Sequence, residues 1–169
     1  MKVTVGHTWD GQCAAVDEWV QLELTRAPGG LLVSVDAAFH GDPAPPGPPG
    51  TRDGLWAFEV VEMFVVGEDP ADYTELELGP HGHVLLLRLM GVRRRLATVI
   101  GVPFRCARNG ARWTAAITLP WSVLPSSPER FNAFAIHGTG AARRYLAHSP
   151  LPGPAPDFHQ PGRFPRLSL

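Results

Sequence analysis

No apolar run in this sequence approaches the roughly 20 residues that a bilayer-spanning helix needs. The first eleven residues, MKVTVGHTWDG, contain no hydrophobic segment of the secretory type. Charge is scarce: 18% of residues are Asp, Glu, Lys or Arg, and the formal net charge is −1. No field of one sign therefore draws the chain to nucleic acid or to an anionic membrane. The two cysteines, Cys13 and Cys106, are far apart and form no Cys-x-x-Cys pair. These features lead us to expect a soluble cytoplasmic protein with reduced, structural thiols.

Helical periodicity is also missing. No window of twelve or more residues repeats its apolar positions at helical spacing. Motifs of catalysis are absent in the same way. There is no Gly-x-Ser-x-Gly, no His-Glu-x-x-His, no Gly-x-Gly-x-x-Gly after a strand, and no nucleophilic cysteine context.

What the chain has is punctuation. Its 18 prolines and 18 glycines make up more than a fifth of 169 residues. Between them lie short segments of alternating character. EWVQLELT (18–25) and LLVSVDAAF (31–39) flank the turn-forming RAPGG and predict a hairpin. FEVVEMFVV (58–66), YTELELG (73–79) and HVLLLRLM (83–90) predict a three-strand meander. VPFRCARN (102–109) and RWTAAITLP (112–120) meet at Asn109-Gly110, a two-residue hairpin signal. FNAFAIHG (131–138) adds a further strand, and LPWSVLP (119–125) a single short helical turn. About eight or nine short strands with Gly/Pro turns give an all-β fold, a single antiparallel β-sandwich spanning 1–169. Two segments read as non-strand: the proline-dense 40–54, and the tail 149–169, whose Phe158, Phe164 and Leu167 suit a strap packed across the body.

Within LWAFEVVEMFVV (55–66), Glu62 lies between Val61 and Met63. A carboxylate in such a run must find a partner, reach water or serve a ligand. The partner reading is an ion pair with Arg88 or with Arg93, Arg94 or Arg95. Strand register decides whether Glu62 clusters with Glu75 and Glu77, and a cluster calls for a compensating cation: an arginine, or calcium, for which no binding loop is present. Trp56, where a strand emerges from the Pro-rich loop, is either a flat platform for a sugar ring or core filling. Trp113 reads as core. His81 and His83 form a His-x-His pair, too few for a closed zinc site, and read as turn or solvent-facing residues. In HTWDG (7–11), Asp10-Gly11 reads as a turn with Trp9 as a plug, against a ligand-contacting His7/Asp10 pair. No metal or cofactor is expected.

The succession HTWDG (7–11), LWAFEVVEMF (55–64), ELGPHGH (77–83), LPWSVLP (119–125), FNAFAIHG (131–138) and PDFH (156–159) resembles a family of uncharacterised proteins across nearly the whole chain. That family in turn is similar to the carbohydrate-binding module family 9 fold, in the DOMON-like group of β-sandwiches. The resemblance implies a sugar held between aromatic walls, with polar groups on its hydroxyls. Trp56 would be one wall and Glu62 the carboxylate. Trp121, Trp9 and Tyr145 are candidates for the second wall, and Arg93, Arg143 or Arg144 for a further hydroxyl contact. Met63, Met90 and the histidines do not form the axial pattern of haem-binding DOMON relatives. The leading expectation is therefore a non-catalytic binder of a small saccharide or sugar-like ligand, with loop 41–54 as one rim. The alternatives are an enzyme using Glu and His as acid and base on a sugar-type substrate, and a protein-interaction module. Oligomeric state is left open.

Overall fold

The computed structural model describes residues 1–168. Strands β1 (Lys2–Val5), β3 (Val20–Ala27), β4 (Gly30–Ala38), β10 (Phe104–Asn109) and β11 (Arg112–Pro120) form the smaller sheet, in the order β1-β3-β4-β11-β10. The alternation in β3 sorts its side chains as expected, with Val20, Leu22 and Leu24 buried and Gln21 and Glu23 exposed. Gly110 takes the left-handed conformation (φ 59°) that the two-residue turn between β10 and β11 requires.

The larger sheet is built on the meander of β6 (Val60–Gly67), β7 (Asp72–Leu78) and β8 (His83–Met90), which pair antiparallel in sequence. Beside β6 lies β12 (Pro128–His137), followed by β13 (Arg144–Ala147) and β2 (His7–Thr8). β5 (Gly50–Thr51) joins β8 in parallel, and β9 (Arg95–Thr98) pairs with β8. The order is β2-β13-β12-β6-β7-β8-β5. The protein is thus an all-β sandwich of mainly antiparallel strands. Thirteen strands occur among the described residues, more than the sequence predicts. The surplus consists of β1, β2, β5, β9 and β13, pieces of two to four residues. Such pieces are too short to show an alternation of their own, and neighbouring strands hold them. One of them, β5, lies inside the proline-dense segment, at the sheet edge where proline is tolerated.

β6 is buried at every position because both faces of the larger sheet are covered. Its inner face, with Val61, Met63 and Val65, meets Leu22, Leu24, Val33 and Ile117 in the core between the sheets. Its outer face carries Val60, Phe64 and Val66 into a second apolar cluster, with Tyr73, Leu85 and Phe134. The C-terminal segment covers that second cluster. Leu151, Phe158 and Phe164 are buried in it, and the Phe158 ring stacks on Phe134 at 3.9 Å and 9°. Each such aromatic or aliphatic burial contributes about 1.5–3 kcal/mol. This third layer leaves an opening over the middle of the sheet, where the site lies.

Candidate functional site

The floor of the opening follows from register. Glu62 on β6 stands directly opposite Glu77 on β7, and Phe64 opposite Glu75. Successive outward positions thus put three carboxyl groups on one face. All are buried: Glu62 and Glu75 are 3% exposed and Glu77 is fully buried. Glu62 Oε1, Glu75 Oε2 and both Glu77 oxygens have no hydrogen-bond partner among the described residues. The backbone N–H of Trp56 approaches Glu77 without closing a bond of ordinary geometry. No arginine forms an ion pair with the three among the described residues. Arg88, the first partner the sequence suggests for Glu62, bonds Asp72 and Thr74 instead.

Burial therefore dominates their acid–base behaviour. Desolvation and the neighbouring Glu75 push the Glu62 carboxyl well above its ordinary range, opposed by the Arg143 charge. Desolvation, then Glu62 and Glu75, does the same to Glu77. Desolvation raises Glu75 to about 7.

Above this floor is a cleft of about 320 Å³. Trp56 forms one wall. It rides on a 3-10 turn, Leu55–Ala57, entered through Gly54 at φ 74° and anchored by the buried Leu55. Trp56 remains 47% exposed. Arg143 braces this turn from behind, donating to Trp56 O (2.6 Å), Phe58 O (3.4 Å) and Gly138 O (3.0 Å). Tyr145 of β13 lines the cleft as well, its ring centroid 5.9 Å from the Arg143 guanidinium. Leu87, Leu89 and Ile136 supply apolar lining. The far wall is the tail, Pro156 to His159. Two paired arginines mark the rim: Arg93 with Asp157 (2.7 Å) and Arg95 with Asp53 (2.6 Å).

A hydrogen-bonded chain enters the cleft from this rim. Arg93, left-handed at φ 56°, donates its backbone N–H to the Tyr73 hydroxyl at 2.9 Å. That hydroxyl also shares a hydrogen bond with His159 Nδ1, again at 2.9 Å. Its other ring nitrogen, Nε2, lies 3.8 Å from Glu75 Oε2. Burial, helped by the Arg93 charge, lowers His159 to about 4, so the ring is neutral at neutral pH.

The structure thus brings Trp56, Glu62, Arg93 and Tyr145 together in one cleft. It places the other sequence candidates elsewhere. Trp121 packs on the inter-sheet core beneath the Arg26 guanidinium, away from the cleft. Arg144 is held by Glu18 at 2.8 and 3.0 Å, with His137 on the same carboxylate at 3.1 Å. Trp9 packs on the outer apolar cluster but does not line the cleft. Of the loop 41–54, only Asp53 reaches the rim of the cleft, through its pair with Arg95. Glu59, just before β6, holds the start of that loop by accepting from His40 and Asp42 N–H. His83 is buried, not solvent-facing, because β5 pairs over the start of β8. Trp113 is buried in the core, as expected. The sequence assigned no role to Tyr73 or Asp157, offered Arg95 only as one of four ion-pair partners for Glu62, and gave Phe158 only a packing role in the strap. It named Glu75 only as a matter of register and His159 only as one of several histidines. The signal was present in the Glu-x-Glu spacing of β7 and in PDFH.

Fold and site together define an all-β, two-sheet protein with an acid-floored, aromatic-walled cleft on the outer face of its larger sheet. The chain belongs to the UPF0462 family. It is 38% identical to the human UPF0462 protein C4orf33 over 167 residues, covering 94% of this chain and 83% of that one. It is 36% identical to the zebrafish (Danio rerio) homologue over 178 residues, covering 100% and 89%. No family model matches. Among solved structures it is similar to a candidate carbohydrate-binding protein from Bacteroides uniformis, with a TM-score of 0.74 over 97% of this chain and 84% of that one. At 17% identity that likeness speaks for the fold alone.

Proposed function

We propose that the protein binds a small carbohydrate or sugar-like ligand in the Trp56 cleft, without transforming it. The observation that carries this reading is a half-exposed Trp56 beside buried carboxyl oxygens that have no hydrogen-bond partner among the described residues. Indole suits the C–H face of a pyranose, and unpartnered carboxyls suit its hydroxyls. The cleft's volume of about 320 Å³ is at the small end of ligand sites, which fits one or two sugar rings. The description of the Bacteroides uniformis neighbour supports the reading, as does the resemblance to family 9 carbohydrate modules.

A screen of mono- and disaccharides followed by indole-fluorescence titration tests it. A saccharide should quench or shift the emission, and Trp56→Ala should weaken binding by about tenfold or more while the fold persists. Silence toward all saccharides ends the proposal.

A second reading is acid–base chemistry on a sugar-type substrate, favoured by the Tyr73–His159 hydrogen bond beside Glu75. Turnover of a saccharide that His159→Ala abolishes would replace binding with catalysis.

A further inference from the structure

We infer that the deep end of the cleft receives an ammonium group, so the ligand is an amine-bearing saccharide or polyol and not a neutral sugar. The inference rests on the sugar-cleft reading for the hydroxyl-bearing part of the ligand. It rests on a separate observation for the amine.

That observation is an imbalance of charge. Glu62 and Glu75 line the cleft, are 3% exposed, and each carries an unpartnered oxygen. Glu77, behind them, has no partner among the described residues for either oxygen. The cations nearby are all engaged. Arg93 binds Asp157, Arg95 binds Asp53, and the Arg143 guanidinium donates to three carbonyls. His159 is neutral, with Tyr73 on its Nδ1 and Nε2 turned toward Glu75. A chain that only needed to fold would gain by filling these positions with apolar residues. A metal does not answer the imbalance, because among the described residues no group of three or more His, Cys, Asp or Glu could hold one.

An ammonium does answer it. It carries three donors and a full charge, and its bonds to carboxylates are about twice as strong as neutral ones. Trp56 and Tyr145 line the same cleft, and aromatic rings attract cations. The paired arginines stay at the rim, where ligand hydroxyls meet them. Protons balance as follows. In the empty cleft the floor holds protons on its carboxyls. The ammonium enters charged, a carboxyl becomes a carboxylate against it, and one proton leaves to solvent. Binding therefore tightens as pH rises through the neutral range, until the amine loses its own proton.

The test is calorimetry on the full chain with glucosamine, glucose and N-acetylglucosamine at about pH 5.5 and about pH 7, both below the range of about 7.7–8.0 in which an amine of the α-amino kind loses its proton. Glucosamine should bind roughly tenfold or more tighter than glucose at the higher pH, with the preference shrinking at the lower. Repeating the titration in buffers of different ionisation enthalpy should reveal proton release for glucosamine alone. This readout needs no variant. In Glu62→Gln, which keeps the side chain's shape, the amine preference should fall toward unity. Glucose binding as tightly as glucosamine, with no proton release, overturns the inference and leaves the sugar reading intact. A non-sugar amine such as cyclohexylamine binding alone, with proton release, upholds the amine site and removes the sugar. No heat with any of these probes overturns the inference.

Discussion

At the scale of single residues, the acid floor makes a claim that stability measurements reach without a ligand. Glu77 is fully buried, unpartnered and held protonated by desolvation and by Glu62 and Glu75. Above its unfolded titration range, keeping the proton costs free energy, about 1.4 kcal/mol for each unit by which its folded pKa is raised, until that pKa is reached. Glu77→Gln removes the ionisation and keeps the shape. The variant should be stabilised by roughly 1 kcal/mol or more at about pH 8 and changed little at about pH 5. Urea unfolding at the two pH values checks this. Destabilisation at the higher pH would mean that an ionised Glu77 is satisfied in the fold. The same residues show what the sequence makes legible. Glu62 stands out by itself, because an acid in an apolar strand has few bland explanations. Glu75 and Glu77 sit in an ordinary-looking alternation, and only the pairing with β6 reveals that their polar face is covered. Trp121 illustrates the opposite failure. Indole composition does not distinguish a binding platform from a side chain packed under Arg26.

At the scale of elements, the long hairpins were readable because period-two alternation and turn residues agree. β3–β4, β6–β7–β8 and β10–β11 all pair as their turns dictate. The tail was readable in part: its aromatic residues mark it as a strap, but nothing in the sequence shows that residues 156–159 become a wall of the cleft. That dual role predicts a dissociation between two substitutions. Phe164 is buried in the outer cluster and does not line the cleft, whereas Phe158 stacks on Phe134 and does. Phe164→Ala and Phe158→Ala should each destabilise by about 3 kcal/mol, through cavity formation. Only Phe158→Ala should also weaken saccharide affinity among the molecules that remain folded. Thermal melts and titration well below the melting midpoint measure the two effects separately. Equal affinities in both variants would mean that the tail is a lid for the apolar cluster alone.

At the scale of the whole molecule, these groups predict an unusual dependence of stability on pH. Glu75 titrates at 4.5 in the unfolded reference and near 7 in the fold, so the folded state holds the proton more tightly and stability falls as pH rises through that window. Glu62 and Glu77, raised further by the same desolvation, extend the fall above it. His159 opposes them: its ordinary 6.5 drops to about 4, so its contribution grows as pH rises between those values, then levels off. His137, lowered by burial, acts in the same direction. Above 6.5 the histidines no longer contribute to the slope and the carboxyl groups alone set it. On the acid side Glu18, bonded by Arg144, is lowered from 4.5 to about 2, so its stabilisation is lost as pH falls between those values. Stability should therefore pass through a maximum in the mildly acidic range and decline through neutrality, although the net charge near pH 7 is only −1. An ammonium ligand that takes the place of the floor's protons should flatten the neutral decline, and Glu62→Gln should flatten it without ligand. Urea titrations at closely spaced pH values measure the curve. A stability that rises from pH 6.5 to 8 in the ligand-free wild type would show that the buried carboxyls are already neutralised, and would remove the physical ground for an amine in the cleft.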